Sequence, residues 1–280
     1  MSTMSLAPKG LTWSVLRLHR AGLTAWGVFL AGLVALMVWL QTQAGDLSSF
    51  ADPCDDLNGD RWLSCTQGLD HELFNYTAMA STVSTVIAWM SFAVAVYAGG
   101  ALVTRDLESD LVTFVWTQSA SPARWLLAKL AVPAALLAGG TTVLVLVYRW
   151  MWQSAHPYRQ PDWSYPDVYV GRGPVAVAFV LCALALGVLV GVLVRRTLPA
   201  MALAFLAMLL VYNAAERARD QLWPEEGALV DWGQWWSDGG LQGHPANHFW
   251  PLQLIESGLL LAIAAAATGT ALWLLRRRTA

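Results

Sequence analysis

Charge is what this 280-residue sequence has least of. Only 13% of its residues are Asp, Glu, Lys or Arg, against 56% hydrophobic ones, and the mean hydropathy is +0.47. A soluble domain of this length needs far more charge to coat its surface. Lysine is almost missing. Lys9 and Lys129 stand alone and every other fixed cation is Arg, a bias that points to a GC-rich bacterial genome. The net charge of −2 leaves no basic excess of the kind nucleic-acid binding uses, so no nucleic-acid partner is expected. Histidine is scarce too: His19, His71, His156, His244 and His248 all fall outside the middles of the apolar runs. That excludes a Ser–His pair within a bilayer and a clustered zinc site, so neither catalytic nor metal-binding residues are expected. His71-Glu72 is not followed by a second His at the zincin spacing. The sequence also lacks G-x-x-x-x-G-K-[ST]. The chain is therefore expected to bind no nucleotide or other cofactor and to be no enzyme by itself.

What is present is a series of apolar runs long enough to cross about 30 Å of hydrocarbon as helices. Six spans are expected, over 22–41, 77–103, 125–148, 174–194, 198–215 and 252–275. The runs are too long for strands and do not alternate, which excludes a transmembrane β-barrel. The fold class is all-α integral membrane protein, with 1–280 as a single transmembrane domain. The first run follows Arg17 and Arg20 and is too long for a signal-peptide core, so it is read as a retained span. Eleven of the 17 cations fall on one side of this topology, at Lys9, Arg17, Arg20, Arg105, Arg124, Lys129, Arg195, Arg196, Arg276, Arg277 and Arg278. The opposite side has longer loops and fewer cations, so both termini are expected to be cytoplasmic. The expected location is a bacterial inner membrane.

Smaller signals fill in the loops. Cys54 and Cys65 share one extracytoplasmic loop, 42–76. A disulfide between them would contribute about 3 kcal/mol by closing a short loop. Cys182 lies in the fourth span and reads as a small apolar filler. The "DLNGD" stretch, with Asp55, Asp56 and Asp60, lacks the spacing of a calcium loop. Thr197, with Pro199 behind it, is expected to cap the fifth span after the turn at Arg195-Arg196. Glu256 reads as an interfacial carboxylate at the start of the sixth span. Gly187 and Gly191, and separately Gly258, Ala262 and Ala266, form small-residue rows expected to pack within the bundle. Trp150, Trp152, Trp163, Trp223, Trp232, Trp235, Trp236 and Trp250 suit an interfacial belt.

The segment 105–129, "RDLESDLVTFVWTQSASPARWLLAK", is longer than a turn requires. Leu107, Leu111, Phe114 and Val115 share one helical face, and Asp106, Asp110 and Thr113 the opposing one. An acidic face is wrong for anionic headgroups. It fits a cationic groove on a partner protein, and it equally fits a solvated turn with its apolar side on the bundle. The longer stretch "GGALVTRDLESDLVTFVWTQSASPARWLLAKL" resembles the segment between the second and third helices of ABC-2-type permeases, the membrane subunits of ATP-binding-cassette exporters. Members often read R-E-x-E-x-G-T, then W-T-Q-S, then R-x-R-W-L and a Lys. Arg105, Asp106 and Glu108 stand at the first block, Trp116, Thr117, Gln118 and Ser119 at the second, and Arg124, Trp125, Leu126 and Lys129 at the third. Asp110-Leu111 stands where the family has Gly-Thr, and Pro122 replaces the first Arg of the third block.

The resemblance implies a coupling helix in which Arg105, Asp106, Glu108, Asp110, Trp116, Thr117, Gln118 and Arg124 meet a separate nucleotide-binding ATPase subunit. ATP and magnesium would sit in that partner. It implies a second permease copy or homologue, and an amphipathic connecting helix over 8–20 with Arg17, His19 and Arg20 at the lipid or ATPase edge. It also implies that 216–251 caps an exit path. Ser84, Thr85 and Ser91, with Ser81 and Thr82, would line part of the substrate path, or else bond their own helix backbone. The near absence of charge within the spans suits an apolar or amphipathic cargo moved outward. Two other functions fit the composition: a secondary transporter or channel without an ATPase, and a non-transporting sensing or immunity subunit.

Overall fold

The structure, a computed structural model, describes residues 20–55, 60–108, 122–154, 166–222 and 248–279. Among these residues all regular structure is helical. Six helical stretches are long and apolar enough to cross a membrane: Arg20–Gln43, Phe74–Glu108, Ala123–Gln153, Val175–Val194, Thr197–Ala218 and Phe249–Arg277. Each expected span lies on one of them. The chain is a multi-pass membrane protein.

The helices themselves outrun the spans. α1 (Arg20–Asp55) and α2 (Asp60–Tyr97) have 36 and 38 residues, and a helix of 36 residues is about 54 Å long. The polar stretch 42–76, expected as a loop, is therefore helical on both sides of 56–59. Hydropathy marks where a helix meets hydrocarbon, not where it ends. Cys54 lies in the last turn of α1 and Cys65 in the second turn of α2, with both side chains outside the described ones. No disulfide joins the described residues, where Cys182 is a free, buried thiol. The connecting helix 8–19, and most of 216–251, also lie outside the described residues.

After α2 the chain makes a wide π turn over Ala98–Leu102 and a short α3 (Thr104–Glu108). α4 (Pro122–Ser154) opens on proline, whose missing N–H has no partner to lose there, and continues through Pro133. α5 (Pro166–Tyr169) and a 3₁₀ turn (Val170–Arg172) lead into α6 (Val175–Val194). α7 (Thr197–Ala218) follows after two residues. The last helix is α8 (Phe249–Thr279).

α6 organises the bundle. Its sequence, "VAVAFVLCALALGVLVGVLV", is apolar all round, with mean hydropathy 3.0. A helix of that kind is stable only when surrounded, and α6 packs against α2, α4, α7 and α8. Gly187 and Gly191 let it approach closely. A Cβ at Gly187 would lie 2.5 Å from the Ala95 carbonyl oxygen and 2.7 Å from the Ala98 Cβ. This row packs inside the bundle as expected. The row Gly258, Ala262 and Ala266 does not: all three are exposed on α8, and nothing lies within 4 Å of a Cβ placed on Gly258. Spacing alone cannot say which face of a helix turns inward.

Candidate functional site

Among the described residues, three features carry side-chain chemistry. The first lies where α2 ends, beside the starts of α1, α4 and α7 and the end of α6. Arg20, Arg105, Arg124, Lys129, Arg195 and Arg196 belong to these helix ends, which form the basic end of the bundle. Glycine makes the crossing compact. A Cβ on Gly99 would stand 2.8 Å from the Ala204 Cβ and 3.0 Å from the Ala200 carbonyl oxygen of α7. The Thr104 hydroxyl, fully buried, donates back to the Gly99 carbonyl and closes the wide turn. π turns of this kind recur at functional sites.

α3 is then fastened at two points. The Asp106 carboxylate pairs with the Lys129 ammonium of α4, which also donates to the Leu102 carbonyl at 3.0 Å and lies 4.9 Å from the Trp125 ring. Lys129 is 5% exposed, a buried cation within an apolar helix that hydropathy had hidden. The Glu108 carboxylate accepts from the Thr197 backbone N–H at 3.2 Å and from the Thr197 hydroxyl. Thr197 is thus the first residue of α7 rather than its own cap. Arg196 occupies the cap position without a side-chain cap bond, and a carboxylate from another helix satisfies the exposed N-terminal N–H instead.

Of the residues expected to meet an ATPase, Asp106 and Glu108 are therefore bonded within the bundle, while Arg105 and Arg124 are exposed. Asp110, Trp116, Thr117 and Gln118 lie outside the described residues, as do Arg17 and His19; Arg20 is exposed at the start of α1.

The second feature was expected as a substrate path. Ser91 is buried and donates to the Ala88 carbonyl at 2.8 Å, and Thr85 donates to the Ser81 carbonyl at 3.0 Å. Ser84 is also buried and accepts the Gly171 N–H at 3.1 Å, pinning the turn before α6 to α2. These hydroxyls serve backbone groups. A cavity of about 520 Å³ lies elsewhere among the described residues, between α1, α2 and α4 with Leu184 of α6, and its walls are almost wholly apolar.

The third feature was not anticipated. At the opposite end of the bundle, Arg219 and Glu256 form a two-pronged ion pair, Nε to Oε2 and Nη2 to Oε1, each at 3.1 Å. Both residues are 2% exposed. The Arg219 guanidinium sits 4.2 Å from the Tyr169 ring. Burial, and then the Glu256 carboxylate, hold the Tyr169 phenol well above its usual range, so the ring stays neutral beneath the cation. One turn back on α8, the Gln253 side chain accepts the Val175 N–H at 3.1 Å and donates to the Tyr169 carbonyl at 2.8 Å. Arg172 packs over Trp152 and Phe249. Glu256 is thus a buried partner rather than an interfacial carboxylate. Its place in the first turns of an apolar helix was the one signal of this, and the matching Arg219 stood in what read as a loop.

Residues 27–219 match the family model described as ABC-2 membrane transporter related. The chain belongs to that family. The match begins inside the first span, takes in the next four and ends at Arg219. No curated protein and no solved structure matches the chain. ABC-2 permeases generally work with an ATPase subunit and often form dimers, and the segment around α3 is where the resemblance read from the sequence is densest.

Proposed function

We infer that this ABC-2-related chain is the membrane half of an exporter, driven by ATP that a separate subunit hydrolyses. The basic end faces the cytoplasm, as the excess of arginine there requires. The partner docks on the segment that begins at α3, holding ATP and magnesium itself, and a second permease copy completes the transport path. The cargo is apolar or amphipathic and leaves through a bacterial inner membrane.

The observation that carries this reading is the double fastening of α3. Asp106 ties it to α4 through Lys129, and Glu108 ties it to the N-terminus of α7. A force applied to 105–119 from below thus reaches two spanning helices through charged bonds rather than through a slack loop. The buried Arg219–Glu256 pair bears on the rival of a proton-coupled transporter. Both carboxylate oxygens bond one guanidinium and the residue is 2% exposed, so Glu256 is a closed structural tie between helices and not a group on an open path.

The test is co-expression with the ATPase encoded by an adjacent gene. The two proteins are expected to co-purify, and a spin label at the exposed position Ala202 of α7 to change mobility when ATP is added. Glu108→Gln or Thr197→Val should leave co-purification intact and abolish the ATP-dependent change. Failure of the ATPase to co-purify would remove the exporter reading, and an unchanged label response in both variants would remove α3 as the linkage.

A further inference from the structure

The cavity between α1, α2 and α4 has a shape and a position that the transport reading does not use. Gly22, Ala93 and Pro133 contribute little side chain to its walls, while Trp26, Trp89 and Tyr97 supply aromatic ones. The groove is thus concave because small residues on three helices face one another. Its volume of about 520 Å³ lies within the roughly 300–1,000 Å³ of small-molecule sites. The lining on α2 runs from Val86 to Tyr97, which at 1.5 Å per residue is about 16 Å. That is one leaflet, half of about 30 Å of hydrocarbon.

The groove begins at the basic end. Gly22 is in the first turn of α1, and a Cβ placed on it would stand 3.2 Å from the Tyr97 hydroxyl. Arg20, exposed, lies half a turn earlier on the same helix. The groove opens between spanning helices, so what surrounds it is the bilayer and not water.

We propose that this groove is an acyl-chain site, taking one chain of an anionic membrane phospholipid from the leaflet at the basic end, with the phosphate over Arg20. Length sets the occupant: the groove ends where a single leaflet ends. Charge sets the headgroup: the groove begins at the basic end of the bundle, where the exposed Arg20 opens α1, and its walls carry no charged side chain. The aromatic rings hold the chain by contact area, and Tyr97 marks the headgroup level. The site needs no ATPase and stands whether or not the chain exports anything.

The full-length chain would be reconstituted in vesicles with either phosphatidylglycerol or phosphatidylcholine carrying a photoactivatable group in one acyl chain. Labelled positions are then mapped by mass spectrometry. Labelling is expected on the groove residues of α1, α2 and α4, severalfold stronger for phosphatidylglycerol. Ala25 and Ala93 line the groove and are exposed, so Ala25→Trp and Ala93→Trp fill it without entering the core. Each is expected to cut groove labelling severalfold while labelling of the exposed Leu210 on α7 stays unchanged. Arg20→Gln, at an exposed helix start, should keep chain labelling and erase the preference for the anionic lipid. Groove labelling no stronger than at Leu210, or unaffected by both tryptophans, overturns the site. A lipid preference that survives Arg20→Gln overturns the headgroup assignment, and that arm remains readable if a tryptophan variant fails to fold.

Discussion

Arg219 and Glu256 are each nearly inaccessible, and each neutralises the other in a place where neither is stable alone. Removing one partner of such a pair costs about 3–5 kcal/mol, while replacing both with apolar side chains of similar volume is often neutral or better. Arg219→Met is therefore expected to lower the thermal midpoint in detergent sharply. The double variant Arg219→Met, Glu256→Leu should recover most of that loss. Equal losses in the single and double variants would show that packing on Tyr169, and not the charge pair, stabilises this end. Glu256 was noticeable in the primary structure for its place in an apolar run, but nothing there paired it with Arg219. A lone carboxylate near a helix start looks interfacial, and an arginine after an apolar run looks solvated.

Among the elements, α6 and α8 show how one small-residue pattern yields two outcomes. Gly187 faces backbone: an added methyl would meet the Ala95 carbonyl and the Ala98 Cβ, so α2 and α6 would have to separate. Overpacking of this kind costs about 1–3 kcal/mol. Gly258 faces open space, and a methyl there improves helix propensity. Gly187→Ala should lower the melting temperature of the purified protein, and Gly258→Ala should leave it unchanged or raise it. Similar losses for both would place α8 against a neighbour along that row. α3 meets the same limit of pattern. Periodicity over 105–115 was enough to propose an amphipathic element. It did not reveal that Asp106 and Glu108 turn back onto α4 and α7, because an i, i+4 pattern says that residues share a face and nothing about what the face meets.

For the molecule as a whole, the membrane topology is the most direct thing to test. With the basic end cytoplasmic, a cysteine placed at Arg277 is expected to stay unreactive to an impermeant thiol reagent in intact cells and to react after lysis. A cysteine at Trp250, exposed near the opposite end, is expected to react in both. The reverse pattern would invert the protein and remove the cytoplasmic docking of α3.

The number and placement of the spans were legible in the residues, because crossing hydrocarbon demands about twenty apolar side chains in a row whatever the neighbours are. The family was legible for a similar reason: the stretch around Arg105 and Lys129 that resembles it is local. What needed the folded molecule were the pairings. Glu108 and Thr197 are 89 positions apart, Arg219 and Glu256 are 37, and Asp106 and Lys129 are 23. Such bonds depend on which helices α6 brings together, and so do the groove's walls. Distance between side chains is set by packing, and packing is not written in any single stretch of the chain.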